Sequence, residues 1–188
     1  TIDNGTNYAS QPSELFESKT GHLSVIQPIQ TGIILNSDFE NWTTESPENW
    51  HGSKSTTLAT KITASAHSGN NAIQLTNTGT SHKRYSTTTM TVQGGNYTCK
   101  YWAKGSGRIR IGYFHGDMLV GSGYTYPAAD VYENVDTLEW TEYTYQFNLT
   151  NNLNAENLNT VFELILSFKS TTDAKGHLTV DDVVCTKD

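Results

Sequence analysis

Short strand patterns separated by turn residues constrain the fold of this chain more than any other feature of its sequence. After an apolar segment at 23–35 that Pro28 interrupts, they recur at 55–64, 71–77, 85–92, 97–104, 108–115, 140–150, 160–169 and 177–186. The separators are turn sequences such as HSGN, QGGN and KGSG. Short strands with such spacing predict an all-β fold, either a two-sheet antiparallel β-sandwich or a jelly roll.

The composition agrees with this fold and argues against two classes of function. The 188 residues include 10 Tyr, 6 Phe and 4 Trp, and only 16% are charged. The net charge of −7 offers no electrostatic surface for nucleic acid, and no apolar run is long enough for a transmembrane segment. The polar residues 1–32 predict a linker or N-terminal extension before one domain at 33–188. A secreted or cell-surface protein is consistent with this composition.

Alternation along the strands predicts a core face and an outer face. Trp102, Lys100 and Arg110 fall on the outer face, and we expect Tyr85 and His115 to share it. Glu163 is outward on its own strand, where an ion pair with Lys100 or Arg110 is the simple expectation. The loop at 121–132 adds rim tyrosines: Tyr124, Tyr126 and Tyr132. Trp140 and the stripe that follows it, Tyr143, Tyr145, Phe147 and Leu149, are assigned to the core.

Such an outer surface has the chemistry of a sugar site, since aromatic rings stack on the apolar faces of sugars and polar groups bind their hydroxyls. Trp42, Trp50 and His51 sit in an early loop and form a candidate second wall. For any single aromatic residue, packing is the competing interpretation.

The two cysteines, Cys99 and Cys185, both fall on inward faces if a bulge occurs at Asp181 and Asp182. A disulfide suits an exported protein, and a pair of buried free thiols explains the same alternation. Neither cysteine belongs to a zinc-binding pattern.

Catalytic motifs are missing from the sequence. It contains no HExxH and no GxSxG pattern, and Glu163 lacks an evident carboxylate partner for glycoside cleavage. We therefore expect a non-enzyme.

The order of five segments resembles the galactose-binding-like jelly rolls, and within them the carbohydrate-binding modules that bind xylans and β-glucans. These segments are NSDFENW, AHSGNNAIQLTN, YSTTTMTVQGGNYTCKYWAKG, LEWTEYTYQFNLT and HLTVDDVV. The resemblance implies a structural calcium ion that joins the opening strand, the HSGNN loop and the closing strand. The matching positions are Asp38, Glu40, Ser68, Asn71 and Asp181. The alternative is a set of surface acids without an ion.

Three functions follow as hypotheses. The first is a non-catalytic module of an exported protein that binds a polysaccharide or oligosaccharide on its concave face, with Trp102 as the main stacking residue. The second is a structural or adhesive spacer that contacts neighbouring domains of a larger chain. The third is a polysaccharide-cleaving enzyme.

Overall fold

A computed structural model describes residues 32–54, 59–117, 121–125, 131–149, 159–170 and 176–188, without the side chains of 53, 54, 117, 121–125 and 159. The described residues form ten strands: β1 (Trp50–Lys54), β2 (Thr60–Ile62), β3 (Ala72–Thr76), β4 (Lys83–Thr87), β5 (Met90–Gln93), β6 (Gly95–Asp117), β7 (Gly121–Thr125), β8 (Glu133–Leu149), β9 (Asn159–Lys169) and β10 (His177–Lys187). The described residues include no helix that is long and apolar enough to cross a membrane.

Hydrogen bonds join the ten strands into one curled sheet. Its order is β1-β4-β9-β6-β10-β3-β2, with β5 paired to β9 and both β7 and β8 paired to β6. Every pairing between named strands is antiparallel. The predicted all-β antiparallel class is therefore confirmed.

The long strand β6 bends near Gly105 and so belongs to both halves of the sheet. Its first part pairs with β10, and its second part pairs with β9. Gly105 has a φ of 113°, and a Cβ atom there would overlap the carbonyl oxygen of His177. Only glycine tolerates this combination of backbone angle and close approach.

The aromatic core shows how far β6 turns. Tyr97 and Tyr113 are sixteen residues apart on this strand, which is roughly 50 Å in a straight strand. Nevertheless, both rings stack on Phe147, with centroid distances of 5.5 Å and 4.6 Å. Phe147 also stacks on Phe162 of β9, at 5.9 Å. The two halves of the sheet therefore face each other across one core, as a jelly-roll sandwich requires.

A disulfide links the two strands that lie side by side in the first half of the sheet. Cys99 of β6 is directly opposite Cys185 of β10, and their sulfur atoms are bonded. The register between β6 and β10 shifts between Asp181 and Val184, where Asp182 has a φ of 46°. This bulge returns Cys185 to the inward face. The bulge and the inward positions of both cysteines are as the alternation predicted, and of the two alternatives that it left open the structure shows the disulfide.

Several strand boundaries differ from the predicted ones. The segment 85–92 contains two strands, β4 and β5, whereas 97–104 and 108–115 are parts of the single strand β6. Strands β1 and β7 were not predicted. The apolar segment at 23–35 lies mostly outside the described residues, and its described part, 32–35, consists of bends and a turn.

We expect Phe147→Ala to lower the free energy of unfolding by about 3–5 kcal/mol, because the change leaves a cavity between the two halves of the sheet. Phe147 is 8% exposed. Urea denaturation followed by tryptophan fluorescence measures the loss. Leu138→Ala is the control, since this residue of the same strand is 90% exposed and its loss should cost less than about 0.5 kcal/mol. Equal effects in the two variants would contradict the role of Phe147.

Candidate functional site

The bend in β6 divides its outward side chains between two surfaces on opposite sides of the molecule. Before the bend, Lys100, Trp102 and Lys104 alternate with buried residues and project away from the core. After the bend, Arg108 and Arg110 do the same from the other half of the sheet. We refer to the first surface as the tryptophan face and to the second as the arginine face.

The tryptophan face consists of Lys100, Trp102 and Lys104 with Trp140 and Glu142 of β8. His67 stacks on Trp102 with a centroid distance of 3.9 Å and an interplanar angle of 15°. The same imidazole meets the edge of Trp140 at 5.7 Å, and the ammonium of Lys104 lies 4.4 Å from the Trp140 centroid. Each indole therefore already has a partner from its own chain.

The rest of this face is also engaged internally. Lys100 forms an ion pair with Glu142, with an N···O distance of 3.0 Å. Trp140 is half-buried on this outer surface, so its assignment to the core was wrong. Regular alternation predicts this outer position, because Trp140 is three residues before Tyr143 and two residues before the outward Glu142.

The arginine face lies on β4, β9 and the second part of β6. Across these strands, Arg84 and Arg110 occupy the two positions that flank Ser167. Arg108 is directly opposite Lys169 on the neighbouring strand. All of these side chains except Ser167 are partly exposed.

Tyr132 lies over this cluster of positive charges. The cationic groups of three side chains approach the centroid of its ring: Lys169 at 4.3 Å, Arg110 at 4.5 Å and Arg108 at 5.5 Å. Its hydroxyl is 3.5 Å from the hydroxyl of Ser167. The electron-rich face of an aromatic ring attracts cations, so Tyr132 holds the three side chains together.

The other end of the arginine face carries an acceptor and an aromatic ring. Glu163 is opposite Phe114 in the register, and its Oε1 accepts a hydrogen bond of 2.8 Å from the Thr89 hydroxyl. One row nearer the arginines, Gly112, Ile165, Ser86 and His51 follow one another across four strands. His51 is exposed, whereas Ser86 and Ile165 are fully buried. A ligand would thus contact the long side chains on either side of this buried row, which are those of the arginines and of Glu163 and Phe114.

Six of the eight predicted ligand residues are divided among three locations. Arg110 and Glu163 lie together on the arginine face, whereas Trp102 and Lys100 lie on the tryptophan face. Tyr85 and His115 lie on the core side of their strands, opposite Leu166 and Phe162. Tyr124 is at the register position opposite Phe114, and its side chain is not described. Tyr126 is outside the described residues.

The expected placement of Tyr85 beside Trp102 was wrong. Its side chain is fully buried and stacks on Trp50 at 6.1 Å. Burial also raises the pKa of its phenol above the usual range. The strand begins at Lys83, two residues before its predicted start, and the alternation that places Tyr85 inward places Arg84 outward. That alternation is the signal that would have identified Arg84.

His115 was also misplaced. It lies opposite Phe162, a core residue, and its ring is 6.0 Å from Tyr113. His115 is two residues after the buried Tyr113 on the same strand, so both side chains lie on the inner side of the second half of β6.

A separate cluster of carboxylates secures the loop at 67–71. Asp181 Oδ2 accepts hydrogen bonds from the backbone N–H groups of His67, at 2.8 Å, and Ser68, at 3.3 Å. Glu40 Oε1 accepts from the N–H groups of Asn70 and Asn71, each at 2.7 Å. The loop is therefore fastened at both ends.

Asp182 connects this cluster to the tryptophan face. Its Oδ2 is 2.6 Å from Nδ1 of His67, and its Oδ1 accepts a hydrogen bond of 2.7 Å from the Ser68 hydroxyl. Burial, followed by the charge of Asp182, raises the pKa of Asp181 to about 6, although the three backbone N–H donors act in the opposite direction. A positive charge nearby would therefore favour the ionised form of Asp181.

Four of the five predicted calcium ligands belong to this cluster. Hydrogen bonds to the loop connect these four residues: Glu40, Ser68, Asn71 and Asp181. Asp38 lies beside them, with its Oδ1 3.4 Å from the backbone nitrogen of Glu40. Within the described parts of the chain, no three His, Cys, Asp or Glu side chains converge as a metal site. Calcium also accepts amide and backbone carbonyl oxygens, so calcium stays a prediction.

We expect Gly69→Ala to destabilise the protein by about 1–3 kcal/mol, because Gly69 has a φ of 57° and a Cβ there would overlap Oε1 of Glu40. Chemical denaturation measures the change. The control is Gly79→Ala, where the nearest atom to the new Cβ is Asn77 Oδ1 at an ordinary 3.4 Å. If the two variants unfold at the same denaturant concentration, the Glu40 contact does not constrain the loop.

Comparison with known proteins agrees with this architecture. A family model described as "Carbohydrate binding domain" matches residues 31–173. The family 22 carbohydrate-binding module of Clostridium thermocellum Xyn10B is 11% identical, with a TM-score of 0.58 over 85% of this chain and 96% of that chain. The second family 22 xylan-binding domain of Paenibacillus barcinonensis Xyn10C is 14% identical, with a TM-score of 0.57 over 81% and 98%.

A third structure, TmCBM61 in complex with β-1,4-galactotriose, is 16% identical, with a TM-score of 0.52 over 84% of this chain and 99% of that chain. No curated protein matches the sequence. At these identities the solved structures establish the fold alone.

Proposed function

Because the chain belongs to the carbohydrate-binding domain family, we propose that it binds a polysaccharide on the arginine face and does not cleave it. The observation that carries the proposal is the combination of groups on this face. Arg84 and Arg110 supply N–H donors, Glu163 supplies an acceptor, and Phe114 and Tyr132 supply aromatic surface. Sugar hydroxyls both donate and accept hydrogen bonds, so they require this mixture.

The tryptophan face supports a sugar site less well. A pyranose ring stacks on an open aromatic face, but the imidazole of His67 already lies parallel to Trp102 at 3.9 Å. Displacing His67 would also break its contact with Asp182. We therefore assign the glycan to the arginine face, and not to the surface of Trp102 that the alternation favoured.

The surroundings of Glu163 support binding without hydrolysis. Glycosidases place two carboxyl groups on either side of the scissile bond. The described neighbours of Glu163 include Thr89, which donates a hydrogen bond to it, Phe114 across the strand pair, and Val161 and Ile165 along β9. None of these four residues is acidic. Glu163 therefore acts as a hydrogen-bond acceptor in this proposal.

Export of the protein is part of the proposal. The Cys99–Cys185 disulfide is the observation in its favour, since such bonds persist in oxidising compartments. A location outside the cell is also where a polysaccharide-binding domain meets its ligand.

We expect Glu163→Gln to weaken polysaccharide binding about 10-fold, because a charge-assisted hydrogen bond to a sugar hydroxyl is replaced by a weaker neutral one. Affinity electrophoresis against a polysaccharide panel, followed by calorimetry on the best ligand, measures the change. Glu139→Gln is the matched control, since Glu139 is exposed on β8 and away from this face.

Three results would contradict parts of this proposal. If Trp102→Phe reduces binding and Glu163→Gln does not, the glycan lies on the tryptophan face. If the folded protein binds no member of the panel, the domain is a structural or adhesive spacer. Release of reducing ends from any polysaccharide would identify an enzyme.

A structural calcium ion is a further part of this proposal, and the carboxylate cluster at the 67–71 loop supports it. Glu40 and Asp181 would hold the ion together with oxygen atoms of the loop, and the ion would offset the unfavourable burial of Asp181. Its role would be to stabilise the fold, since the cluster adjoins the tryptophan face and not the proposed glycan site.

Calcium should therefore raise the melting temperature above the value in a chelator. At about 100 times its dissociation constant, a bound ion adds about 2.7 kcal/mol of stability. Differential scanning calorimetry measures the shift, with magnesium as the ionic control. Asp181→Asn should abolish the calcium response, whereas Asp136→Asn, at an exposed position, should retain it. Identical melting curves in calcium and chelator would exclude the site.

A further inference from the structure

The distribution of positive charge on this acidic chain is uneven. The chain has 19 Asp and Glu against 12 Lys and Arg. It contains three arginines, Arg84, Arg108 and Arg110, and all of them project from the arginine face, as does Lys169. One surface of a protein with a net charge of −7 is therefore strongly basic.

The arrangement within this cluster is costly for the isolated domain. Arg108 and Lys169 face each other directly on neighbouring antiparallel strands, and Arg110 is two residues further along β6. Like charges at directly opposed positions destabilise a sheet. The ring of Tyr132, shared among three cations, offsets part of this repulsion. A bound anion would offset more of it.

The described acidic residue of this face, Glu163, forms no ion pair with Arg108 or Lys169. Its Oε1 accepts a hydrogen bond from the Thr89 hydroxyl. Neither Arg108 nor Lys169 forms an ion pair with any residue that the structure describes. These two partly exposed side chains, whose cationic groups lie 5.5 Å and 4.3 Å from the centroid of the Tyr132 ring, therefore carry positive charge that a ligand would meet.

We propose that the arginine face selects polysaccharides that carry negative charge, as carboxylates of uronic acid units or as sulfate esters. The inference rests on the proposed function and specifies the ligand class of the same site. Guanidinium groups bind carboxylate and sulfate oxygens with two parallel N–H···O bonds, and the lysine adds a point charge. A neutral glycan can accept hydrogen bonds from the same N–H donors, but it gains no charge attraction to Arg108 and Lys169.

The experiment compares matched polysaccharides. One pair is a uronic acid polysaccharide and its carboxyl-reduced, neutral form; the other is a neutral glucan and its sulfated derivative. Calorimetry at low and high salt should show that the charged member of at least one pair binds about 10-fold more tightly, with an advantage that shrinks as salt screens the charges. The pair that responds identifies whether the site prefers carboxylate or sulfate.

Substitutions locate the effect. Lys169→Gln and Arg108→Gln should each bring the ratio of charged to neutral affinity several-fold closer to one. Lys61→Gln is the matched control, because it removes the same charge from the exposed edge strand β2 and should keep the ratio. Circular dichroism verifies that each variant is folded.

Failures of the two proposals are distinguishable. Equal affinity for charged and neutral members, at measurable binding, overturns the charge preference and leaves the proposed function intact. A preference for charged glycans that falls equally in all three variants overturns it as well, because the attraction is then not specific to this face. Absence of binding to every member overturns both.

Discussion

Phe147 contacts aromatic rings from both ends of β6, and the arrangement of the surfaces depends on this contact. The rings of Tyr97 and Tyr113 stack on it from the two halves of one strand. For this to happen, β6 must turn back at Gly105, where no other residue fits. The turn brings the inward side chains together in one core. It also separates the outward side chains onto opposite sides of the molecule.

The carboxylates at the start and the end of the domain affect the tryptophan face more than the glycan site. Asp181 and Glu40 fix the ends of the 67–71 loop, and Asp182 contacts the imidazole of His67. His67 in turn covers Trp102. The bulge at Asp181 and Asp182 therefore has three effects. It aligns Cys185 with Cys99, it anchors the loop through Asp181, and it holds His67 over the indole of Trp102 through Asp182. Stability and surface chemistry are coupled at this point, on the side opposite the arginines.

Sequence alternation succeeded where strands were regular. It assigned the inward residues of β9, and it placed Cys99 and Cys185 on inward faces once a bulge was allowed. It identified Arg110 and Glu163 as outward, and they lie on one surface. The expectations for Tyr85 and Trp140 were wrong because they did not follow the alternation, which places Tyr85 inward beside the outward Arg84 and places Trp140 opposite the stripe that begins at Tyr143. Alternation is a local rule, and a shift of one residue reverses every assignment that follows it.

The sequence by itself determined the all-β class, the order of most strands and the inward or outward direction of each regular side chain, because turn residues and two-residue periodicity act over a few residues. Only the tertiary structure decided which outward residues share a surface. Trp102 and Arg110 have the same alternation on the same strand, yet a bend between them directs them to opposite sides. The cluster of Arg84, Arg108, Arg110 and Lys169 around Tyr132 likewise depends on pairings between distant strands. No local pattern contains that information, since the core contacts that close the sheet are made by residues far apart in the chain.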